Sequence, residues 1–427
     1  MTAPWMPVRS LDEAERRTLR RRMIFEHGKF DPRVGDVEVI APFPIILRPE
    51  AWSEIADAAE ALAAEAMAAE QELMDRPELH RSLGLPRSIR AALRRGDAPV
   101  SIARQIRFDF HWTTEGWRIS EANTDVPGGY LEAEGLSRLM VEHHSDFHPC
   151  GDPMAALVRS VAAGTDPDSV IALVHATAYT DDRQTMAAMQ RRFEVIGRRA
   201  VLIAPDHVTW RSGRARLDHA WADGDMGAMI RFFPAEWLAN LPRRTGWRHF
   251  FAGSTTPQSN PACALLTQSK RWSLLTDRLR APLEHWRTFL PETRDPREVA
   301  WKRDEGWVIK PALGRVGDGV GIRGVTPEKD WRRIARACSW FPGHWVAQRR
   351  FQSAPMETDD GPVYPCIGVF AIDGRACGAY GRVSRMPLID QHAMEAAVLV
   401  AAPRPVGDSR GSGARGKEAA HAAARPV

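Results

Sequence analysis

Alanine and glutamate dominate the stretch from Ala51 to Met74, with only polar or small residues between its apolar positions, which predicts a long helix. A polar helical region lies ahead of it. Between the two, Val37 to Leu47 is extended and apolar, carries Pro42 and Pro44, and ends at an Arg48-Pro49 step that favours a helix start. A shorter helix is predicted near Ser88 to Arg95. From Ile102 to Asp109 the residues alternate in character, Thr113 to Gly116 is a polar turn, and Trp117 to Glu121 resumes the alternation, which predicts a β-hairpin.

Further along, the β-branched run Ser169 to His175, helical spacing from Asp182 to Ile196, and the apolar Ala200 to Ala204 form a βαβ unit. A short strand from Ala228 to Phe233 precedes Pro234 and extends this into a parallel, doubly wound sheet over about residues 165 to 260. From Trp301 the texture becomes α+β. A strand delivers Lys310, a glycine-rich stretch follows, a helix lies near Glu328 to Cys338, and strands follow at Trp345 to Gln348, Cys366 to Ile372 and Ala376 to Arg382. From about Ala401 large apolar residues all but vanish, so the end of the chain is expected to be a disordered tail.

Composition narrows the class. A chain of 427 residues exceeds one minimal core, so two or three subdomains around a shared cleft are expected. No apolar run is long enough to cross a bilayer, and the start lacks a signal-like apolar segment, so a cytoplasmic protein without membrane partners is expected. The 58 basic and 54 acidic residues nearly cancel, leaving a net charge of +4, which gives no nucleic-acid signature but suits anionic substrates. Cys150, Cys263, Cys338, Cys366 and Cys377 are scattered, odd in number and without CxxC spacing, which reads as reduced thiols.

In the hairpin, residues two apart share a face, so Arg107 and Asp109 lie on one side and Phe108 on the other. The same rule aligns Glu121, Asn123 and Asp125 on the return strand. Two carboxylates and a carboxamide on one patch offer the oxygen donors that magnesium takes beside phosphate. A solvated hairpin with cross-strand salt bridges has the same spacing, and on spacing alone is slightly favoured.

Val308 to Lys310 leads into Gly314-Arg-Val-Gly317-Asp-Gly319-Val-Gly321, whose amides can approach phosphates unobstructed by Cβ atoms. The GxGxxG match at Gly319 to Gly324 lacks a helix opening directly after it, and no GxxxxGK[ST] occurs, so neither a dinucleotide fold nor a P-loop is indicated. Lys270 and Lys310 taken singly are equally compatible with surface lysines.

Taken together these pieces resemble the synthetase domain of glutathionylspermidine synthases, an ATP-grasp family with a preceding Rossmann-like region. Glu121 follows Asp109 by twelve residues, within Arg107-x-Asp109 and Glu121-x-Asn123. The likeness continues through Arg231-Phe-Phe-Pro-Ala-Glu-Trp237, Asn260-Pro261 to Lys270, Lys310-Pro-Ala-Leu-Gly-Arg315, Trp345-Val-Ala-Gln348 and Asp373-Gly to Arg382, over about residues 20 to 400. It implies an α/β protein, with ATP-grasp-type α+β domains and a Rossmann-like pre-ATP-grasp parallel sheet. The expected parts are residues 1–150, holding N-terminal helices and a metal-binding hairpin of the ATP-grasp core; 151–262, the pre-ATP-grasp region; 263–400, the nucleotide-binding region; and 401–427, the tail.

The resemblance also implies roles. Asp109, Glu121 and Asn123 would hold Mg2+, with Glu121 bridging. Arg107 and Arg382 would steady an acyl phosphate. Lys270, Lys310, Gly317, Gly319 and Gln348 would bind ATP. The implied activity is ATP-dependent ligation of a small-molecule or peptide carboxylate to an amine. Two departures stand out: Val316 replaces a glutamate usual in the family loop, and Val383-Ser384 replaces an acidic pair, which makes Arg385 a rival of Arg382. No amidase domain is present in the sequence. A nucleotide-holding module without ligation, or a small-molecule kinase, are the rival functions.

Overall fold

In a computed structural model of the chain, the alternation around Asp109 closes into the expected hairpin, with β4 (Gln105–Thr113) antiparallel to β5 (Gly116–Asn123). Gly116, at φ +94°, takes the left-handed conformation that ends the turn, and the Thr113 hydroxyl accepts from the Glu115 amide at 3.1 Å. The structure describes residues 2–34, 37–219, 222–314, 317, 319–390 and 392–401. Arg315, Val316 and the tail from residue 402 lie outside the described residues.

The hairpin is one end of a seven-stranded sheet drawn from both ends of the chain. β3 (Ile45–Leu47), β19 (Met394–Ala401), β18 (Arg375–Ser384) and β17 (Tyr364–Ile372) continue in that order to β4 and β5, with β6 (Phe147–Pro149) also on β19. Only β3 and β19 run parallel. The helix Pro49–Asp75 lies against one face, burying Ile55, Ala59, Leu62 and Ala66 with Phe108, Phe110, Ile367 and Val369. Its alanines let the helix approach closely, and Phe108, opposite in phase to Arg107 and Asp109, points to this dry side. The other face carries Arg107 and Asp109 and also buries Phe370, Ile372 and Tyr380 in a second apolar cluster.

β19 has no counterpart among the predicted elements. Ala396 to Leu399 are all 0% exposed, packed on both faces, and a strand covered on both faces reads as an unbroken apolar run without alternation.

The βαβ unit is present, with β7 (Val170–His175), the helix Thr180–Val195 and β8 (Ala200–Ile203). β11 (Ala222–Phe232) and β12 (Gln258–Ser259) extend the parallel sheet. β11 begins at Ala222 and not at Ala228, because its first residues pair antiparallel with β10 (Arg214–His219), which pairs in turn with β9 (Val208–Arg211). The sheet expected to be wholly parallel therefore carries an antiparallel ribbon, turned at Ser212 and Gly213 with φ of +50° and +78°.

The α+β layer is a four-stranded antiparallel sheet in the order β13 (Thr293–Arg294), β16 (Trp345–Arg349), β14 (Trp307–Pro311) and β15 (Gly321–Ile322). The helix Glu328–Trp340 covers it through Trp331, Ile334 and Cys338, packed with Trp301, Trp307 and Ile309. A small ribbon, β1 (Arg33–Val34) with β2 (Val37–Glu38), completes the strands. Among the described residues no helix is long and apolar enough to cross a membrane.

A candidate active site between two sheets

The hairpin register sets Arg107 opposite Asn123 and Asp109 opposite Glu121. Arg107 holds Asp109 through two hydrogen bonds of 2.7 and 2.8 Å, and the Asn123 amide donates to Asp109 at 3.3 Å. The Lys270 ammonium lies 2.9 Å from Glu121 and donates to the Gly314 carbonyl at 2.9 Å, tying the hairpin to the root of the glycine-rich loop. On β17, Gly368 stands opposite Asp109. A Cβ there would fall 2.6 Å from the Tyr380 ring and 2.9 Å from Cδ of Arg107, so the glycine makes room for the arginine, whose guanidinium lies 5.0 Å from the Tyr380 ring centre.

The four-stranded sheet supplies the facing wall. Lys310 on β14 donates to the Ser120 carbonyl at 2.9 Å and to Oε1 of Gln348 on β16 at 2.6 Å, while Gln348 donates to the Thr293 hydroxyl at 3.2 Å. Between the walls lies a cleft lined by Asp109, Glu121, Lys310, Gln348, Arg382 and Gly317 among others. Apolar side chains of Val308, Ile322, Phe351 and Leu388 line it too, so the pocket offers both charged and apolar surface.

Arg382 donates to the backbone carbonyl of Asp390, in the loop between β18 and β19. Arg385 is turned away and donates to the Asp360 carbonyl at 3.0 Å in an exposed position. Of the two rival arginines, only Arg382 lines the cleft. Gly317 packs so closely on this loop that a Cβ would lie 2.5 Å from the Ile389 carbonyl. Gly319 faces elsewhere, lining a shallower concavity with Pro311 and Trp345.

Burial pushes the Lys310 ammonium down to about 8, with Glu121 opposing the shift and Lys270 adding to it. Burial raises the Glu121 carboxyl, but Lys270, Lys310 and Arg107 outweigh it and hold the group below the usual range. Burial, followed by the charge of Lys310, lowers His111 to about 3, so this imidazole is neutral in the cleft. Burial lifts the Cys366 thiol well above its ordinary value, leaving an unreactive side chain. Four cations, Arg107, Lys270, Lys310 and Arg382, surround the two carboxylates, an excess of positive charge that favours a polyanion.

Asp125 is a correction to the aligned acidic face. It is 0% exposed, paired with the equally buried Arg231 of β11, and accepts from the Ala235 amide at 2.9 Å. The backbone leaves the strand at Asn123, so the two-residue period no longer applies. Asn260 donates to the carbonyls of Gln105, Thr124 and Asp125 at 2.7, 2.9 and 3.0 Å, and Gln268 accepts from the amides of Thr124 and Asp125. Much of the Arg231 and Asn260–Lys270 likeness is thus a clamp that fixes the end of β5. Among the residues that sequence reasoning did not single out, His111, Ser120 and Tyr380 border the site. His111 follows the alternation of Asp109, and that was its only signal; Ser120, next to Glu121, falls at the irregularity in the hairpin register, which alternation does not foresee.

The donors Asp109, Glu121 and Asn123 suit magnesium, which takes one or two carboxylates and fills its remaining positions with water and phosphate oxygens. Among the described residues no three His, Cys, Asp or Glu side chains gather into a metal cage.

The sequence matches the family model for the glutathionylspermidine synthase pre-ATP-grasp domain over residues 45–400. Among solved structures, the chain is similar to a glutathione synthetase-like effector from Globodera pallida in its apo form. The TM-score is 0.62 at 12% identity, covering 90% of this chain and 96% of that one, a likeness of fold. A putative gamma-glutamylcysteine synthetase from Methylobacillus flagellatus KT aligns with a TM-score of 0.39 and 13% identity over 79% of this chain and 87% of that one. No curated protein matches the sequence. With an ATP-grasp-like glutathione synthetase fold and a family match spanning most of its length, the chain belongs to the glutathionylspermidine synthase pre-ATP-grasp family, a ligase-type family.

Proposed function

We propose that the chain is an ATP-dependent carboxylate–amine ligase. The observation that carries this reading is the convergence of Arg107, Lys270, Lys310 and Arg382 with Asp109 and Glu121 about one cleft that apolar side chains also line. In the proposed reaction the acid's carboxylate attacks the γ-phosphorus of ATP and ADP leaves. The amine then attacks the acyl carbon, phosphate departs, and an amide remains.

Lys310 lines the cleft and Lys270 reaches Glu121 beside it, and both would hold phosphate oxygens, with Gly317 bringing its backbone close. Gln348 fixes the Lys310 ammonium and lies where the base would run. Arg107 and Arg382 would meet the charge that grows on the transferred phosphoryl group and on the oxygen of the tetrahedral intermediate, an electrostatic task well suited to fixed guanidinium groups. Magnesium held by Asp109, Glu121 and Asn123 would supply further charge neutralisation. Bringing ATP, a small-molecule or peptide acid, and an amine together in one cleft would remove the cost of a three-body encounter.

The test is ADP release with Mg-ATP across pairs of acids and amines, with products identified by mass spectrometry. An amide product, with ADP formation that requires both partners and is lost in Asp109→Asn and Glu121→Gln proteins that remain folded, supports the reading. A stable phosphorylated product without amine dependence, or turnover unchanged in both variants, overturns it.

A further inference from the structure

We infer that the outer face of the helix Glu328–Trp340 is a docking surface for an acidic polypeptide segment with aromatic or aliphatic anchors. Trp331, Ile334 and Cys338 turn inward onto the four-stranded sheet. Lys329, Arg333, Arg336 and Trp340 recur at intervals of four, three and four residues, so they form one stripe on the other side. At its end Trp340 is 72% and Phe341 60% exposed, the one pair of adjacent exposed aromatics among the described residues.

Charge selects the partner. Arg332 and Arg333 are partly matched by Glu328 at 2.6 Å and Asp330 at 3.6 Å, and these two acids leave an excess of positive charge among the four cations of the helix. Arginine and tryptophan side by side form the kind of surface on which binding energy concentrates.

Shape favours a chain over a flat bilayer. Trp340, Phe341 and Arg336 border one concavity, and Arg333 and Ala337 border both it and a second one, which runs on to Gly314 and Gly319. The helix is ~20 Å long, a span matched by about six residues of extended peptide. A segment lying along it would pass the second concavity, whose other side is the root of the glycine-rich loop, where Lys270 holds the Gly314 carbonyl.

The experiment uses the full chain and a fluorescent synthetic peptide rich in Glu and Asp around a central Phe-Leu pair, read by anisotropy at low and high salt. Binding that weakens with salt and falls about tenfold in the Trp340→Ala, Phe341→Ala double variant and in Arg336→Glu, with circular dichroism unchanged, supports the inference. So does weaker binding of a peptide with the same acids and no apolar pair. No binding, binding indifferent to these substitutions, or association only with phosphatidylserine vesicles overturns it.

Discussion

Asp109 and Glu121 face each other across the β4–β5 pair, yet each carboxylate is held by a different cation, Asp109 by Arg107 and Glu121 by Lys270. The two ion pairs offset the charges of neighbouring carboxylates, which on the proposed reading would share one magnesium ion. Chelating magnesium is therefore expected to stop ADP release. Asp109→Asn and Glu121→Gln should each raise the magnesium concentration needed for half-maximal turnover by at least about tenfold, measured by titrating the ion at saturating ATP.

The buried Lys310 sets a pH dependence. On the proposed reading phosphate binding would require the protonated ammonium, and the free site loses that proton as pH rises through about 8. Nucleotide affinity is expected to be flat below that value and to fall above it by up to about tenfold per pH unit. Calorimetry in buffers of different ionisation enthalpy should show proton uptake on binding at alkaline pH. Gln348→Glu places a carboxylate where an amide oxygen now lies 2.6 Å from the ammonium, and should move the fall to higher pH.

Arg382 and Arg385 are separated by their surroundings. Arg382→Ala is expected to lower kcat by ~10²–10³-fold, the usual cost of removing a fixed donor from developing charge. Arg385→Ala, on the exposed side, should change kcat by about twofold at most. Steady-state kinetics of the two variants checks this directly, and equal losses would contradict the placement.

Asp125 and Arg231 are a prediction about stability. Both are completely buried, so Asp125→Ala leaves a guanidinium uncompensated and should cost ~3–5 kcal/mol, seen as a lower unfolding midpoint. Asp125→Leu combined with Arg231→Met should recover part of that loss, because no buried charge then remains, although the Ala235 amide loses its acceptor. A loss in the single variant too small to detect would remove the clamp from the account of how β5 is held.

The hairpin was legible because its information is local. Alternation with period two and a short polar turn place Arg107, Asp109, Glu121 and Asn123 on one face whatever the rest of the chain does. The same logic found β7, β8 and the helices, whose periods are also local. It passed over β19, where burial on both faces erases alternation, and the charged ribbon of β9 and β10, whose residues look like a loop. It also carried Asp125 one step too far along the strand.

By itself the sequence determined the main elements, the side of the hairpin that bears the charges, and, through motif spacing, the family. Tertiary structure decided which charges meet. Lys310 reaches Ser120 across 190 residues of chain, Lys270 finds Glu121, Arg382 enters the cleft while Arg385 leaves it, and Asp125 turns to Arg231. Side-chain periodicity is set by neighbours in the chain. Ion pairing and burial are set by neighbours in space, and those exist only once the two sheets have packed around the cleft.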